Sequence, residues 1–196
     1  MSKTFERFNI YLVGVGGQGI GLLSEAIIRG ADYASQPVRG VDTHGLAQRG
    51  GMVESFIRFG ENVQSPLVRK HDADLVISLE KNEVYRAIGD FLKPGGKIIY
   101  YETILQPLNV RMRNGDDASD EDIDSITLKR EGEVHKIKKD DLKERVMQNT
   151  VVLAEIAKKQ LIPEISKENY LAALTDLLKG EVLQKNLDLF NEVCGD

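Results

Sequence analysis

An apolar run that ends in clustered glycines and resumes as a helical pattern leaves a chain few ways to fold. Residues 9–15 of this chain read NIYLVGV, residues 16–19 read GGQG, and apolar Ile20, Leu23, Ile27 and Ala31 then recur at spacings of three and four. The first run has the length of a buried strand, and the second has the period of an amphipathic helix over about 18–35. A strand, a tight glycine turn and a helix in that order open a doubly wound α/β fold.

The rest of the chain continues the rhythm. Val38 to Asp42 predicts a second strand, and THGLAQRGG, residues 43–51, a loop. MVESFIRF, residues 52–59, predicts a third strand too close to the second for a helical crossover, so it pairs antiparallel or sits at an edge. ADLVISL, residues 73–79, is strongly apolar, KNEVYRAIGDFL is helical, and Lys93-Pro94-Gly95-Gly96 closes that helix before a strand at 97–101. Tyr100 and Tyr101 mark a strand end with one side buried.

These elements predict a three-layer, Rossmann-like α/β fold with a largely parallel sheet and a C-terminal helical extension. Residues 1–140 form the α/β part, and residues 141–196 are the extension, helical in three pieces broken at Pro163 and near Gly180. Its apolar stripes, Val151, Leu153, Ile156 and Ala157 and then Leu171, Leu174, Leu177 and Leu178, are expected to pack on the sheet, the alternative being a partner chain. Between about 106 and 140 the acidic patch GDDASDED, residues 115–122, reads as a solvated excursion with one edge strand.

The glycines at 14, 16 and 19 satisfy G-x-G-x-x-G. The first permits a tight turn, the second lets backbone approach a ligand, and the third lets helix and strand pack closely. The helix N-terminus behind them offers unpaired N–H groups to an anion. Asp42, at the end of the second strand, stands where an acidic residue binds the ribose of a dinucleotide. A stand-alone NAD(P)-binding reductase or sensor is therefore one reading. The other turns on the loop after Asp42, which opens at the same carboxyl edge and sets Thr43, His44, Gln48, Arg49 and Gly50 beside the glycine turn. An arginine followed by two glycines suits a phosphate or a carboxylate.

The formal net charge of −5 excludes the broadly basic surface of a nucleic-acid or membrane-surface binder. No apolar run approaches the roughly 20 residues of a membrane span. The N-terminus lacks a cleavable apolar leader, so the expected location is cytoplasmic. A single cysteine, Cys194, rules out an internal disulfide, and also an iron–sulfur cluster ligated wholly by this chain's thiolates. His44, His71 and His135 are too scattered for structural zinc. No nucleophile stands out: Cys194 is near the end of the chain, and Ser24 and Ser55 have no sequence neighbour that reads as a base.

Taken together, GVGGQGI, THGLAQRGGMVESFIRFG, SPLV, ADLVISLE and KPGGKII resemble the gamma domain of the 2-oxoacid:ferredoxin oxidoreductases. The nearest form is the small (beta) subunit of the indolepyruvate type. The asparagine-led segments Asn149 to Leu153 and Asn186 to Phe190 resemble late segments of that family, and the HGLAQRGG loop is the most specific part. Leu46 stands where methionine is commoner, and Ala154 where glycine is usual.

The resemblance implies a subunit of an enzyme that decarboxylates a 2-oxoacid oxidatively to an acyl-CoA and reduces ferredoxin. It implies that thiamine diphosphate and the iron–sulfur clusters are carried by a larger partner subunit. NAD is not a family cofactor, which removes the ribose role from Asp42. The candidate contacts with coenzyme A or the partner are then Gly14, Gly16, Gly17, Gln18, Gly19, Thr43, His44, Gln48, Arg49 and Gly50. His44 and Arg49 are the candidates for an orienting role in catalysis.

Overall fold

The computed structural model of the protein describes residues 7–44, 51–105, 117–142 and 144–195, the His44 side chain excepted. Among these residues, six strands form one sheet: β1 (Phe8–Val15), β2 (Val38–His44), β3 (Met52–Phe59), β4 (Ala73–Ser78), β5 (Leu92–Tyr101) and β6 (Glu133–Ile137). Their spatial order is β2-β3-β1-β4-β5-β6. β1, β4, β5 and β6 are joined by parallel ladders, while β3 runs antiparallel to both β1 and β2. β2 therefore shares the direction of β1, and β3 alone is reversed.

The short β2–β3 connection forces an antiparallel pair. That pair enters the sheet with β3 innermost, so β3 is an interior strand and β2 the edge. The registers Val15↔Met52 and His44↔Val53 put the ends of β1 and β2 and the start of β3 at one edge of the sheet.

Alternating side chains of β1 divide between two cores, as the pleat requires. Ile10 and Leu12 face helix α1 (Ile20–Tyr33) together with α4 (Gln148–Lys158), α5 (Lys167–Leu177) and α6 (Gly180–Cys194). Tyr11 and Val13 face α2 (Lys81–Phe91) and α3 (Asp120–Leu128). β5 obeys the same rule: Tyr101 joins the first core and Tyr100 the second, so both tyrosines are buried, one on each face. The apolar spacing of α1 is realised in full, with Ile20, Leu23, Ile27 and Ala31 all buried.

The acidic patch departs from its expected form. Residues 120–128 make helix α3, whose N-cap Ser119 and residue Asp122 form a reciprocal capping box. Asp120, Glu121 and Asp122 occupy the first turn, where negative charge is favoured by the helix dipole. Ile123 is fully buried against the second core. The same carboxylates that suggest a solvated loop by composition stabilise the start of a helix by position. β6 follows as an edge strand parallel to β5.

Candidate functional site

The carboxyl ends of the parallel strands gather at one edge, and the order of the sheet reverses between β1 and β4. In open α/β sheets that point is where a ligand crevice forms. Here Leu79 N donates to Val13 O at 3.0 Å, drawing the two strand ends together. Gln18 then fills the gap, 2% exposed. Its Oε1 accepts from Val15 N at 2.7 Å, and its Nε2 donates to Leu79 O at 2.5 Å. Gln148, fully buried at the start of α4, donates to the same carbonyl at 3.4 Å. Two glutamine side chains of the chain itself thus fill the space beneath the turn, between the ends of β1 and β4.

The glycine turn lies directly above this seal. Gln18 N donates to Val15 O at 3.1 Å and closes it. Gly14 is buried: a Cβ there would stand 2.6 Å from Ile20 Cδ1 and 2.8 Å from Gln18 Oε1. Gly19 caps α1 with φ 80°, and α1 has no side-chain cap. Gly17, with φ 101°, is exposed, and no atom of the described residues beyond its chain neighbours lies within 4 Å of where its Cβ would be. Gly17 is thus the part of the turn that another molecule's backbone or phosphate can approach.

The β2–β3 loop meets the turn where expected, since Gly16 N donates to Gly51 O at 2.8 Å. Gln48, Arg49, Gly50 and the His44 side chain lie outside the described residues. Thr43 is exposed, its hydroxyl 3.2 Å from Glu54 O. Asp42 is engaged within the fold. Its Oδ1 accepts from Ser24 Oγ at 2.9 Å and from Ser55 Oγ at 2.5 Å, tying β2 and β3 to α1. Asp42 is therefore a fastening of the edge hairpin, and so are the two serines.

Two further groups at this edge are not singled out by the sequence. Glu80 is fully buried at the end of β4 and caps α2, accepting from Glu83 N at 2.8 Å and from Leu105 N at 3.1 Å. Burial pushes its carboxyl above the usual range, against the pull of those donors. Asn82 accepts from Ala118 N at 2.8 Å, and the Lys81 ammonium lies 2.6 Å from Asp120. The turn 80–82 therefore fastens the chain on both sides of residues 106–116.

On the α2 side of β1, Tyr11 donates to Glu54 while Glu83 pairs with Arg86. With Met52 and Phe91 these line a cavity of about 110 Å³. Burial raises the Glu83 carboxyl, and the Arg86 guanidinium opposes the shift. A signal for Glu80 and Glu83 exists in the sequence only as acids opening a helix, which does not disclose that both are buried. Among the described residues, no group of three or more His, Cys, Asp or Glu is placed to hold a metal ion. No helix among them is long and apolar enough to cross a membrane.

Residues 9–194 match the sequence profile of a family described as pyruvate ferredoxin/flavodoxin oxidoreductase. The indolepyruvate oxidoreductase subunit IorB of Thermococcus kodakarensis is 36% identical over 107 residues, which are 55% of this chain and 52% of that protein. The match thus spans about half the length of that relative. Among solved structures, the pyruvate oxidoreductase subunit PORC of Thermotoga maritima superposes with a TM-score of 0.68 at 18% identity, covering 98% of this chain and 97% of its own. The 2-oxoglutarate:ferredoxin oxidoreductase of Magnetococcus marinus, solved with 2-oxoglutarate, coenzyme A and succinyl-CoA bound, gives a TM-score of 0.68 at 19% identity. There 96% of this chain corresponds to 30% of the larger one. At those identities the two structures speak for the fold.

Proposed function

The chain belongs to the pyruvate ferredoxin/flavodoxin oxidoreductase family, and from that premise we propose that it is the small subunit of a 2-oxoacid:ferredoxin oxidoreductase of the indolepyruvate type. The likeness to IorB supports the indolepyruvate assignment. In this reading a larger subunit carries thiamine diphosphate and iron–sulfur clusters, which supply the decarboxylation and the electron transfer to ferredoxin. This chain contributes a contact surface at the carboxyl edge, made of the glycine turn and the β2–β3 loop, which faces the larger subunit and coenzyme A.

The observation that carries the reading is the pairing of a filled gap with an exposed turn. Gln18 and Gln148 fill the gap between the ends of β1 and β4 beneath the turn, while Gly17 stands clear of its neighbours among the described residues. A turn with an open backbone and a helix N-terminus behind it can donate N–H groups to a phosphate of coenzyme A or to a partner carbonyl. Arg49, in the neighbouring loop, would add a guanidinium for the same phosphate. The chain's own residues thus bind and orient, and the reaction proceeds on the partner.

The test is anaerobic affinity purification of the tagged chain from its own cell. The expected result is a larger co-purifying subunit with bound thiamine diphosphate, iron–sulfur absorbance and coenzyme A-dependent oxidation of indolepyruvate. Recovery of a colourless chain alone, under conditions that preserve complexes, overturns the proposal.

A further inference from the structure

The two asparagine-led segments of the tail have no part in the function proposed above, yet they meet in space. Asn149 Nδ2 donates at 3.2 Å to Gly19 O, the carbonyl that also receives Leu23 N at 3.1 Å as the first bond of α1. Asn149 Oδ1 accepts from Thr150 N at 2.7 Å. The Thr150 hydroxyl donates to Asn186 Oδ1, and Asn186 Nδ2 donates to Val182 O at 2.8 Å. The three side chains are 3%, 2% and 5% exposed.

Burying three polar side chains where apolar ones could pack is costly unless each is matched, and a matched set fixes geometry strongly. One end of this set is the N-cap of α1, which its own neighbours leave without a side-chain cap. The other end is α6. A Cβ at Gly19 would stand 2.3 Å from Asn149 Nδ2, so the asparagine is seated directly on the turn.

We propose that Asn149 is a positioning residue for the glycine turn, held in its orientation through Thr150 and Asn186, so that Gly17 meets coenzyme A and the larger subunit in one conformation. This rests on the function proposed above. Asn149 touches neither ligand. It acts by fixing the carbonyl from which α1 starts.

Asn149→Asp is the discriminating variant. It is isosteric and keeps an oxygen toward Thr150 N, but it sets a second oxygen against Gly19 O in place of a donor. In the full chain, exchange of the Leu23 amide is expected to speed up about tenfold or more, with shifted amide signals for Gly17 and Gly19. In the reconstituted complex, the dissociation constant of the larger subunit or the KM for coenzyme A rises about tenfold, while kcat at saturation is unchanged. Thr150→Val, which removes only the hydroxyl, moves the same quantities in the same direction by less and serves if the aspartate variant does not fold. Gly17→Ala strains the turn directly and acts as the reference. Wild-type amide behaviour and wild-type affinities in Asn149→Asp, with both affected in Gly17→Ala, overturn the inference alone. Affinities unchanged in both variants remove the turn from the functional surface, and the inference falls with the proposed function.

Discussion

Gln18 bridges two strand ends that are 61 residues apart from it in one direction and three in the other, through Leu79 O and Val15 N. Both ends of its amide are used, and the side chain is buried. Gln18→Ala leaves Val15 N without its side-chain acceptor and Leu79 O with only the longer bond from Gln148, and is expected to cost about 1–3 kcal/mol. Gln18→Glu keeps the shape but turns the donor into an acceptor facing Leu79 O, and it should be at least as destabilising. Urea denaturation of the two variants checks the order. Equal stability of Gln18→Ala and the wild type would mean that the seal contributes nothing to the fold.

The engagement of Asp42 by Ser24 and Ser55 bears on nucleotide binding. NADH titrated into the isolated chain should give no saturable change in cofactor fluorescence. Saturable binding would restore the stand-alone dinucleotide reading that the glycine pattern and Asp42 raise.

Gly19 and Gly17 both have positive φ, but among the described residues only Gly19 of the two is crowded. Gly17→Ala pays only the left-handed backbone term, about 1–2 kcal/mol. Gly19→Ala adds the displacement of Asn149 from the first turn and should lose about 1–3 kcal/mol more. Comparing the two thermal midpoints separates the terms.

Asp120 sits between Lys136 and Lys81 at the start of α3. Bonding to Lys136 first and Lys81 second holds its carboxyl down at about 2. A carboxylate lowered by folding contributes stability above its unfolded value of 3.8, and the contribution is lost as pH falls through that value toward 2. The group is 38% exposed, so solvent screening limits the effect to about 1 kcal/mol. The stability difference between wild type and Asp120→Asn should be present at neutral pH and fade in strong acid. A difference that is constant across that range would point to the loss of shape alone.

Arg49→Ala is expected to leave the fold intact, as a substitution in the β2–β3 loop, and to weaken coenzyme A use or association with the larger subunit. Loss of a charge-assisted phosphate bond corresponds to about 1.5–3 kcal/mol, or roughly tenfold or more in KM. Acyl-CoA formation and assembly both at wild-type levels would remove Arg49 from the surface.

How far the sequence discloses this molecule depends on the range of the interaction concerned. β1, the glycine turn and α1 are legible because apolar period and glycine spacing act over a few residues. The place of β3 inside the sheet is not, because pairing partners on both sides are set by the whole sheet. α3 is obscured by composition, its first-turn acids being as characteristic of loops as of capped helix starts. At the site, the meeting of the two glycine-bearing segments follows from topology and is seen at Gly16 and Gly51. The roles of Gln18, Asp42 and Asn149 depend on Leu79, on Ser24 and Ser55, and on Gly19, partners that no local pattern connects. Glu80 illustrates the same limit, since its burial is decided by Leu105 and by the helix it caps.

The first core has a consequence for synthesis. Ile10, Leu12 and the inner face of α1 are covered by α4, α5 and α6, and the contact between Gly19 and Asn149 closes over 130 residues. A chain emerging from the ribosome makes the glycine turn early and completes its support last. Until α4 arrives, that apolar sheet face has only α1 as its cover, and incompletely covered apolar surface is what makes partly made chains prone to aggregate. Because Asn149 follows Gly19 by 130 residues, the support beneath the glycine turn is complete only once the tail has docked.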